Sequence, residues 1–574
     1  VILSLVIGIG LRIVVASRMP IIETDGAMYA SLASAILRGD WSHALSPFWP
    51  PLYPVMIAGA ASIAHAFGQA VTPQALEASA RAVSLLCSFA LLVPFYLMGR
   101  RLLGERGAQW GLLLVLFHPR LVQFSGAALT ETPFMLTLLV GLAALMSAWR
   151  IGAERAAVVA SERTTATALE GAAATALERT ATIVHEGAGA SGAEASRAPR
   201  RRIIEAAAGI AFGLGYLIRP EALVIAAVVW AAGLAIRRRE KILDRMSPAF
   251  VVGVLAVSAP FIIYLHAELG YWSIGEKGPY NFWREYRTAY AEVYPEPQGL
   301  GERSSESPEL AAAIPPEPVH VAGFTVREPA AFLSRYLRNL ATIVVSTFPV
   351  AVYHVFLVLA IVGLIGISGR RWWPVLVTVA LFPFLFAAFS IDRRFYVPVI
   401  PLVALLSARG LGGLEAWVAK RIRHEMLGAV FSYILFAVFI LGGTRYSMEH
   451  GSIDNAPEQR AAGEWLWRAW PRGAASDGAR PLNERPVVMS RKPWVAYYAG
   501  GIIAELPDGP LEEVLARIKR TRSDVLVIDE RWAGTARPHL SFLLDPTAAP
   551  AGFDIVYERT HPSRIILYSV RAIR

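Results

Sequence analysis

Runs of apolar residues long enough to enter a bilayer, many with arginine or lysine gathered beyond one end, recur through the first three quarters of this sequence. Leu427–Gly443 contains no charged residue, and Thr132–Trp149 and Pro248–His266 are of the same kind. A peptide backbone enters hydrocarbon only when its own hydrogen bonds are closed. At roughly 20 residues per crossing of a ~30 Å core, such runs require transmembrane helices. Hydrophobic residues make up 55% of the 574 positions and charged residues only 17%. That balance excludes a soluble multidomain chain, which needs charged surfaces. The net charge of +10 does not point to nucleic acid, because the basic residues gather where apolar runs end, as they do on cytoplasmic loops. The one cysteine, Cys87, lies inside an apolar run, so no intrachain disulfide forms.

With a cytoplasmic start, the charges give a consistent path. Val1–Ala16 reads as a shortened spanning helix rather than a signal peptide, since no small-residue cleavage site follows it. Leu52–Phe67, opened by Trp49–Pro50–Pro51, reads as a helix lying along the membrane. The further spans are Arg81–Gly99, Ala108–His118, Thr132–Trp149, Ile203–Leu217, Ala222–Ile236, Pro248–His266, Leu340–Ile367, Trp373–Phe389, Phe395–Ala408 and Leu427–Gly443, giving about 11 crossings. Clusters such as Arg100–Arg101, Arg237–Arg239 and Lys420–Arg423 then fall on the inner side. The expected organisation is a polytopic α-helical membrane region over 1–444 and a small extracytoplasmic α/β domain over 445–574. A low-complexity cytoplasmic insert occupies 152–202 and an extracytoplasmic loop 268–338. In the tail, Pro486–Ser490 and Ser523–Asp529 read as strands, Leu511–Ile518 as an amphipathic helix, and Ile555–Tyr557 with Ile565–Val570 as a closing hairpin.

This path brings four polar sets to the outer face: Asp25–Gly26 with Tyr29 and Tyr53, Thr130–Glu131, Arg219–Pro220–Glu221, and Asp392–Arg393–Arg394–Phe395–Tyr396. Carboxylates and arginines at one level suit transfer of a sugar from a lipid phosphate. Asp25 is placed to take the proton of an acceptor hydroxyl. Arg219, Arg393 and Arg394 suit the donor phosphate, because guanidinium holds phosphate through paired, charge-assisted hydrogen bonds. Each residue has a plainer reading beside this one. Asp25 fits a turn or helix cap, Glu131 a helix N-terminus, Arg393 and Arg394 snorkelling to headgroups, and Arg219–Glu221 a pair across their own turn. His43, His266 and His354 lack metal-ligand spacing. The aromatics of 268–338 (among them Tyr271, Trp272, Tyr280, Phe282, Trp283, Tyr286 and Tyr290) suit stacking on sugars or a place at the interface.

The run Asp25–Tyr29 through Ala33, Leu37 and Gly39, followed by Pro50–Pro51–Leu52–Tyr53–Pro54, resembles the first extracytoplasmic loop of GT-C glycosyltransferases. The nearest likeness is to the protein O-mannosyltransferases and the lipid A aminoarabinose transferase. Leu129–Phe134, Gly213–Glu221 and Arg394–Pro398 with Pro401 resemble further family segments. The resemblance implies inverting transfer from a polyprenyl-phosphate-linked sugar to a lipid, glycan or protein acceptor. It places the chain in the inner (plasma) membrane with its active site facing the periplasm, Asp25 in the base position and Glu131 in the second acidic position. Tyr29, Tyr53, Glu221 and Tyr396 are carried with these as substrate-binding residues. A divalent metal is left open, with no ligands assigned. Where the mannosyltransferases have Asp-Glu, this chain has Asp25–Gly26. Where the aminoarabinose transferase carries Glu-Lys before its Pro-Pro, this chain has Phe48–Trp49, so the arginines are expected to take over the phosphate. Two other classes compete: a transporter or flippase, and a membrane anchor for a working α/β tail.

Overall fold

The computed structural model describes residues 2–149, 187–239, 248–293, 319–470 and 484–573. Most of the low-complexity insert and the middle of the 268–338 loop therefore lie outside the described residues. The end of the insert, residues 187–202, is the first half of the helix Gly187–Tyr216. Among the described residues five helical segments are long and apolar enough to cross a membrane, or six if a bent pair is one span. The eleven expected runs all fall on helical segments, but Ile2–Ser17, Glu221–Ile236 and Arg371–Ala387 are shorter apolar helices. The basic turn Arg100–Arg106, expected to separate two spans, is a break at Gly104 (φ 75°) inside the segment Leu92–Phe117.

Glycine sets how closely these helices pack. A Cβ on Gly209 would sit 2.1 Å from the Phe250 carbonyl oxygen, and one on Gly253 would sit 2.4 Å from that of Ala206. Helices Gly187–Tyr216 and Ala249–Leu269 therefore meet backbone to backbone. Between helices in lipid there is little hydrophobic gain, and close approach of small residues is what holds them.

The run Leu340–Ile367, expected as one helix, is broken. Pro329–Val352 and His354–Leu364 meet at 105°, with Tyr353 at φ 62°. The turn before the break, Ile343–Thr347, is a π-helix. Pro349, which brings no N–H to the helical ladder, follows it. The break leaves the Val352 carbonyl without a helical partner, and the His118 Nε2 lies 3.2 Å from it.

The tail forms a five-stranded sheet: β1 (Val487–Ser490), β2 (Ile502–Glu505), β3 (Val525–Asp529), β4 (Asp554–Arg559) and β5 (Ile565–Ser569). The order is β2-β1-β3-β5-β4, parallel through β2, β1 and β3 and antiparallel from β3 through β5 to β4. Along β3, Val525 and Val527 face the helix Pro457–Ala469 with Ala462 and Leu466. Leu526 and Ile528 face the helix Leu511–Thr521 with Val514 and Ile518. A strand covered on both faces reads as an unbroken apolar run, which is why β3 was visible in the sequence. The four-residue β2, after Gly500–Gly501, was not.

Candidate active site

Five elements end at one place. Asp25 lies in the first turn of the helix Thr24–Leu37. Glu131, Glu221 and Lys277 each open a helix, Glu131–Trp149, Glu221–Arg239 and Lys277–Val293. Arg394 lies on the 3-10 turn Arg393–Val399. Helix N-termini turn free N–H groups and the positive end of the helix dipole outward, so a meeting of several favours anions.

The side chains form one network. Arg394 donates through Nη2 to Asp25 Oδ2 and through Nε to Glu131 Oε1 at 2.9 Å. Lys277 Nζ donates to the same Asp25 oxygen at 3.1 Å. Arg219 donates to Glu131 Oε1 at 3.2 Å and to Glu221 Oε1 at 3.1 Å. Its guanidinium lies 5.3 Å and 5.7 Å from the ring centres of Phe395 and Phe134. Glu131 is fully buried and its second oxygen, Oε2, has no partner among the described residues. Burial alone would raise the Asp25 carboxyl, but Arg394 and Lys277 outweigh it and hold it well below the ordinary carboxylate range. Burial also draws the Lys277 ammonium down, against the pull of Asp25.

Lys277 was missed in the sequence. It is the only lysine of 268–338, and it reaches Asp25 because its loop docks on the Pro-rich motif: Glu276 N–H donates to the Pro47 carbonyl at 3.0 Å. Its ammonium sits 4.1 Å from the Trp49 ring centre. The cation absent from positions 48–49 thus arrives in space from a distant loop, so the arginines do not stand alone.

The Asp25 segment is held from two sides. Glu23, buried, accepts the Ala128 N–H at 2.8 Å and ties the loop before Asp25 to the loop before Glu131. Gly26 keeps the two loops close, since a Cβ there would lie 2.6 Å from the Ala128 carbonyl oxygen. From the sheet side, Ile22 N–H donates to the Tyr498 hydroxyl at 2.9 Å, and the Trp494 indole N–H donates to the Ile22 carbonyl at 2.8 Å. Thr24 N–H donates to Asp454 at 3.0 Å. The tail therefore takes up backbone groups that lead directly into Asp25.

The cluster borders a cavity of about 500 Å³. Tyr29, Arg219, Glu221, Lys277 and Arg394 line its polar end, and Val224, Ile262, Leu385 and Phe389 continue it along apolar helix faces. Of the other expected residues, Arg393 is exposed and stands outside the network. Tyr53 is buried, with its hydroxyl near Ser84 Oγ at 2.9 Å and the Ala80 carbonyl at 3.2 Å. Tyr396 is buried edge-on against Phe348 and Phe386. Neither lines the cavity, and Asp25 and Glu131 meet it only through their partners Arg394, Lys277 and Arg219. Phe282, Tyr286 and Tyr290 pack edge-on or tilted against Phe324 in a separate buried cluster.

His43 pairs with Asp40 at 2.8 Å, His266 stacks on Trp272 with centroids 4.1 Å apart, and His354 opens the helix after the Tyr353 break. Among the described residues no group of three or more His, Cys, Asp or Glu is arranged to hold a metal ion. Around Asp25 three carboxylates already meet three cations. This donor set does not fit a divalent metal.

No protein-family model matches the chain, and no curated protein does. Solved structures match over nearly its whole length. The archaeal oligosaccharyltransferase AglB from Archaeoglobus fulgidus, in complex with an inhibitory peptide and a dolichol-phosphate, has TM-score 0.56 and 13% identity over 99% of this chain and 73% of its own. ArnT from Cupriavidus metallidurans bound to undecaprenyl phosphate has TM-score 0.51 and 14% identity over 99% and 97%. The A. fulgidus oligosaccharyltransferase in complex with Zn and sulfate has TM-score 0.53 and 14% identity over 99% and 72%. The chain shares its fold with these solved structures.

Proposed function

We propose that the chain is a membrane glycosyltransferase that moves a sugar from a polyprenyl-phosphate carrier to an acceptor hydroxyl, with inversion. The observation that carries this reading is that Arg394 and Lys277, which share Asp25 Oδ2 between them, line the polar end of an otherwise apolar cavity. Two of the neighbours were solved with dolichol-phosphate or undecaprenyl phosphate, and a cavity with one charged and one greasy end suits such a molecule. The reaction runs on the outer face of the plasma membrane, with residues 445–574 as the extracytoplasmic domain.

Before donor binds, both cations are spent on Asp25 and the carboxylate is a poor base. The donor's phosphodiester competes for Arg394 and Lys277, so Asp25 loses its cations and its proton affinity rises toward the ordinary value. The acceptor oxygen then bonds to the anomeric carbon as its proton passes to Asp25. The bond from that carbon to the phosphate oxygen breaks, and its electron pair leaves with the lipid phosphate. The extra negative charge develops on oxygens held by Arg394 and Lys277, the kind of charge that fixed donors stabilise best. Glu131, through Arg219 and Arg394, keeps the guanidinium groups aligned. An Asp25→Asn chain should bind polyprenyl-phosphate sugar and transfer it about 10²–10⁴-fold more slowly. Transfer at the wild-type rate by the folded variant would remove Asp25 as the base.

A further inference from the structure

The segment Arg393–Ile422 connects two charged places. Arg394 stands at its start in the carboxylate network, and Lys420 and Arg423 lie at its far end. At 1.5 Å per residue the 23-residue helix Ile400–Ile422 separates them by about 34 Å, one bilayer thickness. There a second and larger space opens, a groove of about 1660 Å³ between the helix Ile400–Ile422, the Gly104 break and the start of the helix Glu425–His450.

The groove is amphiphilic. Its floor includes Leu102, Trp110, Val362 and Ala408, and Lys420, Arg423 and Trp417 stand at its rim. Lys420 and Arg423 are exposed and take no ion pair among the described residues, whereas Arg106 pairs with Glu415. Arg409 is committed to the structure, donating to the Gly363 and Gly366 carbonyls at 2.9 and 3.1 Å. Trp110 is 5% exposed and packs its ring against Tyr433 and Phe436, so it closes the inner wall of the groove. Trp417, 63% exposed, is the type of side chain that settles at the headgroup level.

We propose that this groove binds a phospholipid of net negative headgroup, its phosphate on Lys420 and Arg423 and its acyl chains on the apolar floor. Cationic pockets between membrane helices select such headgroups by charge. The site is independent of sugar transfer and stands whether or not that reaction is correct.

The test uses the full purified chain in detergent, titrated with phosphatidylglycerol or phosphatidylcholine of matched acyl chains, with bound lipid read by native mass spectrometry. A separate arm adds inorganic phosphate as competitor. Phosphatidylglycerol should be preferred on the order of tenfold, and the preference should vanish in the surface variant Lys420→Gln/Arg423→Gln. Equal binding of the two lipids, or an unchanged preference in the double variant, would overturn the proposal. Displacement of phosphatidylglycerol by phosphate at matched concentration would overturn the assignment to a lipid.

Discussion

The two ends of Arg393–Ile422 treat positive charge in opposite ways. At one end Arg394 is gripped by Asp25 and Glu131, Lys277 by Asp25, and Arg219 by Glu131 and Glu221. At the other, Lys420 and Arg423 face outward with no carboxylate partner among the described residues. A balanced network aims its donors before the ligand comes and exerts little pull at a distance, which suits a site where charge appears during a reaction. Unpaired cations do the reverse, attracting any anionic surface within a Debye length without fixed geometry. Under the proposed reaction, pairing rather than density of charge distinguishes the reacting end.

The strongest way to break that contrast is to remove the residue that joins the Asp25 and Glu131 carboxylates. Arg394→Gln leaves Asp25 and Glu131 short of a cation and takes away a donor to the leaving phosphate. Transfer should fall by about 10²–10³, the usual cost of losing one donor to a developing oxyanion. Steady-state rates with polyprenyl-phosphate sugar, alongside a melting curve to confirm folding, measure this. A fall in apparent donor affinity alone, with kcat intact, would show Arg394 to be a ground-state clamp.

Lys277→Gln sharpens the comparison with a smaller effect. Lys277 holds Asp25 from a loop docked on Pro47, while Arg394 remains in place. The variant should raise the KM for donor by roughly tenfold, the scale of one exchanged charge-assisted bond, with a lesser effect on kcat. An unchanged KM would mean that Lys277 serves only to quiet Asp25 in the empty site.

Why Lys277 was hidden in the sequence while Arg219 and Arg394 were not has a physical answer. Asp25, Glu131, Arg219, Glu221 and Arg394 each interrupt or border an apolar run, and a charge at a helix end stands out against hydrocarbon. Lys277 lies in an already polar loop, 252 residues from the carboxylate it meets. Only the docking of that loop brings it in. The helical bundle was legible for the same reason as the arginines. The break at Tyr353 was not, because Leu340–Ile367 is mostly apolar and its marks, Pro349 and His354, do not by themselves end a helix. The packing of Phe282, Tyr286 and Tyr290 was available in their spacing of four, which sets one helical stripe. Aromatic composition drew attention to sugars and away from that stripe.

The smallest effect concerns a carboxylate at the paired end that has no cation of its own. Arg81 lies near Glu23, but its guanidinium binds Glu77 and the carbonyls of Ala16, Met19 and Ile21. Burial, only partly offset by Arg81, raises the Glu23 carboxyl from 4.5 to about 7. The folded chain thus holds this proton more tightly than the unfolded chain. The stability so gained is complete below about 4.5 and is lost as pH rises through about 7. Glu23→Gln stays neutral throughout and still offers an oxygen to Ala128 N–H. Between pH 4.5 and 7 the wild-type melting temperature should therefore fall relative to that of the variant, and the difference should level off above. Parallel curves would mean that Glu23 binds its proton no more tightly in the folded chain than in the unfolded one. The rule that a buried carboxylate at this end sits low only where it owns a cation would then fail at the residue that ties the Asp25 and Glu131 loops together.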